Sequence, residues 1–99
     1  MTRPVRVAPA AEQELAAAYS WYESQRPGLG RELVAAIDIA LAAIAADPEA
    51  WAPWPPRPRF RHFVVARFPY VVFFRVMVDE VNIEAFAHAK RRPGYWKVR

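Results

Sequence analysis

The stretch Arg67-Phe68-Pro69-Tyr70-Val71-Val72-Phe73-Phe74-Arg75-Val76-Met77-Val78 decides the fold. From Tyr70 to Val78 it is almost continuously apolar, the pattern of a central strand covered on both faces. Tyr70, Val72, Phe74 and Val76 share one face, and Val71, Phe73, Arg75 and Met77 share the other. Arg75 is the one charge on that strand, so it needs a carboxylate or backbone carbonyls beside it. Glu84, on the next apolar segment, is the expected partner.

Downstream, Asp79-Glu80 reads as a hairpin tip, although it lacks the Asn-Gly or Asp-Gly of a tight two-residue turn. Val81, Ile83, Ala85 and Ala87 then alternate as a helix-facing set, with Asn82, Glu84, Phe86 and His88 pointing outward. Upstream, Ala66 to Pro69 makes a turn. Before it, from Arg59, Phe60, His62 and Val64 alternate with Arg59, Arg61 and Phe63. Pro48 to Pro58 carries five of the ten prolines along with Trp51 and Trp54, a stiff and partly extended loop.

The first half has the helical period. Thr2 to Val7 is a short edge strand, limited by Pro4. Pro9 opens a helix where its missing N–H costs nothing, and Glu12 and Glu14 lie near its positive end. Ala11, Leu15, Ala18, Tyr19 and Tyr22 form its buried stripe, with Trp21 beside them. Pro27-Gly28 stops it. A second helix runs from Gly30 to Ala46, with Leu33, Ile37, Ala40, Leu41 and Ile44 buried and Val34 flanking. Asp47-Pro48 ends it.

This order predicts an α+β fold: an N-terminal strand, a two-helix antiparallel hairpin, then a three-stranded antiparallel sheet with the helices on one sheet face. The other face is expected to be partly open and basic. Ninety-nine residues make a single domain over 1–99. Four Trp, four Tyr and six Phe argue for a packed globule. The absence of cysteine excludes disulfides and thiolate metal sites, and His62 and His88 cannot hold a zinc ion alone. With no secretory signal and no apolar run long enough to span a bilayer, the expectation is a cytoplasmic protein that does not engage a membrane.

The net charge of +4 is unevenly spread. Residues 1–56 hold four arginines against seven acids, net −3. Residues 57–99 hold ten Lys and Arg against Asp79, Glu80 and Glu84, net +7. A one-sided basic surface suits an acidic protein partner or a phosphate backbone.

Four segments carry a family resemblance: A-P-A-A-E-Q-E-L (Ala8–Leu15), W-Y-E-S-Q-R-P-G-L-G (Trp21–Gly30), R-F-P-Y-V-V-F-F (Arg67–Phe74) and A-F-A-H-A-K-R-R-P-G-Y-W (Ala85–Trp96). In these, and in their order, the chain resembles the RelE/ParE toxin superfamily of bacterial type II toxin–antitoxin systems, and in particular its ParE branch. The resemblance implies a growth-inhibiting toxin with no cofactor. It also implies silencing by a small, acidic, ParD-like antitoxin in a hetero-oligomer. ParE-type members poison DNA gyrase, and RelE-type members cleave messenger RNA on the ribosome. A third possibility is an inactive orphan domain that only binds its antitoxin.

The residues weigh these possibilities differently. RNA cleavage needs a base, a charge stabiliser and a proton donor. His88, Arg91, Arg92 and Tyr95 are the candidate set. Against it, RelE-type nucleases carry an arginine directly after the central-strand aromatic, whereas Val71 follows Tyr70 here. The favoured reading is therefore non-enzymatic: Arg67, His88, Lys90, Arg91, Arg92, Tyr95 and Trp96 form a target-binding surface, and gyrase is inhibited by protein contacts. The alternative for His88 is a ring that only bonds nearby backbone, and for Tyr95 and Trp96 a cap on the core edge.

Overall fold

The computed structural model describes residues 3–55, 57–92 and 94–98. The elements run β1 (Val5–Val7), α1 (Pro9–Gln25), α2 (Leu29–Ala46), a 3-10 turn (Pro48–Ala50), β2 (Pro53–Trp54), β3 (Arg57–Val64), β4 (Tyr70–Val76), β5 (Val81–His88) and a second 3-10 turn (Tyr95–Val98). No described helix is long and apolar enough to cross a membrane. The start of the expected first strand, at Thr2, and Pro93 lie outside the described residues.

Among the described residues one sheet has the order β1-β5-β4-β3-β2, so the expected three-stranded sheet is a core of five strands. The two additions are short. β1 lies parallel to β5, pairing Val5 with Val81 and Val7 with Ile83, and is an edge strand as read from Pro4. β2 comes from the proline-rich segment and pairs with β3 through Pro53 and Trp54. Proline removes a donor but not an acceptor, so a two-residue edge pairing is the most such a segment supports. The β4–β5 strand pairing stops at Val76–Val81, and Met77 N–H closes the tip on Glu80 O at 2.8 Å. Met77 and Val78, expected to extend the strand, are exposed loop residues instead.

The helices cover one sheet face. Leu33, Ile37, Ala40 and Ile44 of α2, with Ala11 and Ala18 of α1, bury against Val72, Phe74, Val81 and Ile83. The hairpin is tight because of two glycines. Gly28 takes φ +89° at the start of α2, a conformation that L side chains rarely adopt. At Gly30, a Cβ would fall 2.8 Å from the Tyr19 carbonyl oxygen. Glu23 locks this corner, accepting both the Gly28 and Gly30 N–H groups at 2.9 Å. These bonds hold its carboxyl below the usual carboxylate range.

The opposite face differs from expectation. It is closed by a second apolar cluster of Phe60, Phe73, Ala85, Ala87 and Trp96, with Trp54 and Tyr95 at its margin. The chain's own C-terminal turn supplies the cover: the Trp96 ring stacks on Phe73 at 4.0 Å. Ala85 and Ala87 therefore do not face the helices, and Phe86 does not face outward. The pairing slips between Phe73–Ala85 and Phe74–Ile83, leaving Glu84 as an extra residue in β5. A bulge of this kind breaks the two-residue alternation. Val81 and Ile83 stay on the helix side, and after Glu84 it is Phe86 that joins them.

Candidate functional site

The bulge decides where the last strand delivers its side chains. Past Glu84, Phe86 and His88 turn toward α1 rather than away from it. β5 pairs with β4 so that His88 lies opposite Tyr70, their rings edge-to-face at 5.3 Å. Ala17, Ala18 and Trp21 of α1 form the facing wall. The result is a shallow concavity of about 290 Å³, floored by Phe86 and rimmed by His88, Arg91 and Tyr95. Burial pushes the Tyr70 hydroxyl pKa upward. Trp21 stands 58% exposed at the edge. A larger concavity, about 690 Å³, lies around Arg3, Asp47, Glu49 and Asp79, and holds none of the candidate residues.

The chain turns sharply after His88. Arg91 N–H donates to His88 O at 2.9 Å, and Lys90 N–H donates to His88 Nδ1 at 3.1 Å. A nitrogen that accepts carries no proton, so in the neutral ring the proton resides on Nε2. The His88 ring thus bonds nearby backbone, the alternative read for it from the sequence. Gly94 takes φ +76° and swings the chain back under the sheet. Tyr95 then gives its hydroxyl proton as a hydrogen bond to Glu14 Oε2, and Glu14 Oε1 accepts the Phe86 N–H at 3.1 Å. The Arg91 guanidinium lies 3.8 Å from the centre of the Tyr95 ring.

The candidate residues separate into three groups. Lys90, Arg91 and Arg92 are exposed together at the end of β5, and among the described residues none of them is within ion-pair distance of an acid. His88 and Tyr95 border the same corner but are partly buried. Arg67 and Trp96 are placed otherwise. The Arg67 turn adjoins the corner, since Ala89 N–H donates to Pro69 O at 2.8 Å, but its guanidinium is drawn to Glu32 on α2, 2.8 Å away. Trp96 is 4% exposed and belongs to the second core, so its indole is not offered to a target. Arg75 meets Glu84 at 3.4 Å, as expected. His62 lies against Phe73 on the far face.

Glu14 was legible only as a helix N-terminal acid. Its spacing held a further signal: it sits between Ala11 and Ala18 on the buried stripe, where a carboxylate requires donors. Tyr70 and Trp21 were read as packing residues, and nothing in their spacing marked them as walls of a concavity. Among the described residues there is no group of His, Cys, Asp and Glu arranged to hold a metal ion.

A helix hairpin on one face of this sheet, with a cationic corner at the end of the last strand, defines a small α+β class. The family model for the ParE toxin of type II toxin–antitoxin system, parDE, matches residues 5–93. The chain therefore belongs to the ParE toxin family. No curated protein matches it significantly. Among solved structures, a chain of the chromosomal ParDE toxin–antitoxin system from P. aeruginosa shares the fold, with a TM-score of 0.77 and 21% identity. The match covers 88% of this chain and 96% of that one.

Proposed function

We propose that this ParE-family toxin arrests growth by inhibiting DNA gyrase through protein contacts made at the Lys90–Arg91–Arg92 corner, without catalysis. In this reading, a small acidic ParD-like antitoxin holds it silent in a hetero-oligomer. Family membership implies the antitoxin. The observation that carries the contact surface is the sorting of cations. Arg3, Arg6, Arg26, Arg67 and Arg75 each meet one of the chain's own acids, whereas Lys90, Arg91 and Arg92 meet none among the described residues. Arg31, Arg59 and Arg61 meet no acid among the described residues either, although Arg61 donates to the Glu49 and Trp51 carbonyls. What sets Lys90, Arg91 and Arg92 apart is that they are three consecutive exposed cations, a cluster suited to grip an anionic or acidic macromolecule. The same charge speeds capture by an acidic antitoxin segment that folds as it binds.

One observation favours the runner-up, a RelE-like ribosome-dependent mRNA endonuclease: His88, Arg91 and Tyr95 do border one concavity. Three others weigh against it. Val71, in the place of the nuclease arginine, packs against the second core. His88 Nδ1 is occupied by the Lys90 amide. The Tyr95 proton is committed to Glu14. Expression of the toxin alone and together with its acidic antitoxin tests the toxin–antitoxin part. Growth arrest relieved by co-expression is expected, and healthy growth on the toxin alone overturns it.

A further inference from the structure

One carboxylate on the first helix ties together two parts of the chain more than seventy residues away. β5 is paired by β1 only through Ile83, and Ala8 N–H then takes the Ile83 carbonyl at 3.0 Å as α1 begins. Beyond that point α1 replaces the strand, and the Phe86 amide would lose its partner. Glu14 Oε1 supplies one, at 3.1 Å. Its second oxygen accepts the Tyr95 hydroxyl. Tyr95 is thus held at its phenol end by Glu14. At its backbone end it is held by the next residue, Trp96, which is stacked on Phe73 at 4.0 Å. The ring fixed in this way carries Arg91 over its face, 3.8 Å from the centroid.

We propose that Glu14 is a positioning residue for target binding: through Tyr95 it sets the Arg91 guanidinium in the orientation that meets the target. This rests on the reading of the Lys90–Arg92 corner as the contact surface. The physical basis has two parts. An exposed arginine is a long flexible side chain, and ordering it at an interface opposes binding; seating it in advance removes part of that cost. A phenol donating to a carboxylate also gains electron density, which strengthens the attraction of its ring for a cation. Glu14 touches no target in this scheme and acts only through Tyr95.

The test uses full-length toxin bearing Tyr95→Phe, Glu14→Gln, Arg91→Ala and the double change Glu14→Gln with Arg91→Ala. Two readouts are taken: loss of supercoiling by purified gyrase, and the NMR shifts of the Arg91 side-chain protons, which the Tyr95 ring current moves upfield. Tyr95→Phe removes only the hydroxyl and leaves the Phe86–Glu14 bond, so it stays informative if a Glu14 variant folds poorly. Arg91→Ala is expected to weaken inhibition. Tyr95→Phe and Glu14→Gln are expected to weaken it by roughly threefold to tenfold, with the upfield shift of Arg91 reduced. The double variant should be no weaker than Arg91→Ala alone. If Arg91→Ala weakens inhibition while both Glu14→Gln and Tyr95→Phe keep full potency and an unchanged Arg91 shift, the positioning role is overturned and the contact surface stands. If Arg91→Ala is harmless, the contact surface itself is overturned, and the positioning role with it.

Discussion

Arg67 and Glu32 meet at 2.8 Å, joining the β3–β4 turn to the first turn of α2 across the end of the sheet. Arg26 reaches the other carboxylate oxygen at 3.2 Å. Arg67 sits at φ 74°, in the left-handed region that non-glycine residues seldom occupy. This pairing ties Arg67, whose side chain stays 68% exposed, to an acid on α2 and makes it a clamp between sheet and helices. The hydrogen bond from Arg67, then that from Arg26, lowers the Glu32 pKa below its ordinary 4.5.

A lowered folded-state pKa has a definite sign. The unfolded chain binds the proton more readily, so the contribution of Glu32 is complete above about 4.5 and is lost as pH falls through the folded-state value. Glu32→Gln removes that dependence. Thermal unfolding of both proteins at neutral pH and below 4.5 checks this. The wild type is expected to lose more stability on acidification than the variant.

The helix turn makes a sharper test, because its two glycines are required for different reasons. Gly28 has open space around its missing Cβ and a φ of +89°, so Gly28→Ala incurs conformational strain alone, about 1 kcal/mol. At Gly30 a Cβ would meet the Tyr19 carbonyl oxygen at 2.8 Å and Glu23 Oε1 at 2.9 Å. Gly30→Ala is therefore expected to cost about 1–3 kcal/mol by overpacking, and to loosen Glu23 as well. Urea denaturation of the two variants ranks them, and equal midpoints would contradict the close approach of the helices.

Much of this was readable in advance. The faces of β4, the α2 stripe, the edge position of β1 and the Arg75–Glu84 pair follow from period, propensity and the need to neutralise a charge on an apolar strand. The β5 faces did not, because strict alternation was carried through Glu84. The sign of the bulge was present in the composition. Ile83 and Phe86 are large apolar residues three apart, a spacing no regular strand places on one side. The second face is closed by the cap that the alternative reading of Tyr95 and Trp96 describes, but the extent of that closure was not legible. Covering it requires Trp54 and Trp96 to meet, at 5.1 Å across 42 residues of chain, and local patterns do not report contacts at that separation.

That second face yields a prediction of its own. Trp96 is 4% exposed, and its indole nitrogen has no hydrogen-bond partner among the described residues. Trp96→Ala is expected to destabilise the protein by about 3–5 kcal/mol, through lost burial and the cavity left against Phe73. Trp96→Phe keeps most of the stacking and removes an unsatisfied donor, so its effect should be much smaller. Calorimetry of the pair decides, and a mild effect of Trp96→Ala would mean that the C-terminal turn does not close the sheet.

Glu84 offers a test of the bulge. It is the extra residue in β5 and also the partner of half-buried Arg75. Glu84→Ala leaves that guanidinium on an apolar strand with Phe60 nearby, at a cost of about 1 kcal/mol. Combining it with Arg75→Met should recover part of the loss. Additive losses in the double variant would show that the two side chains do not interact.

As proposed, the toxin disables gyrase by contact at its cationic corner and cleaves nothing. The most direct measurement places two assays side by side on the same purified protein: supercoiling by gyrase, and cleavage of message bound to ribosomes. Loss of supercoiling with intact message is expected, and a marked weakening of that loss when Lys90, Arg91 and Arg92 are all replaced by alanine. Cleaved message with unaffected supercoiling would contradict it.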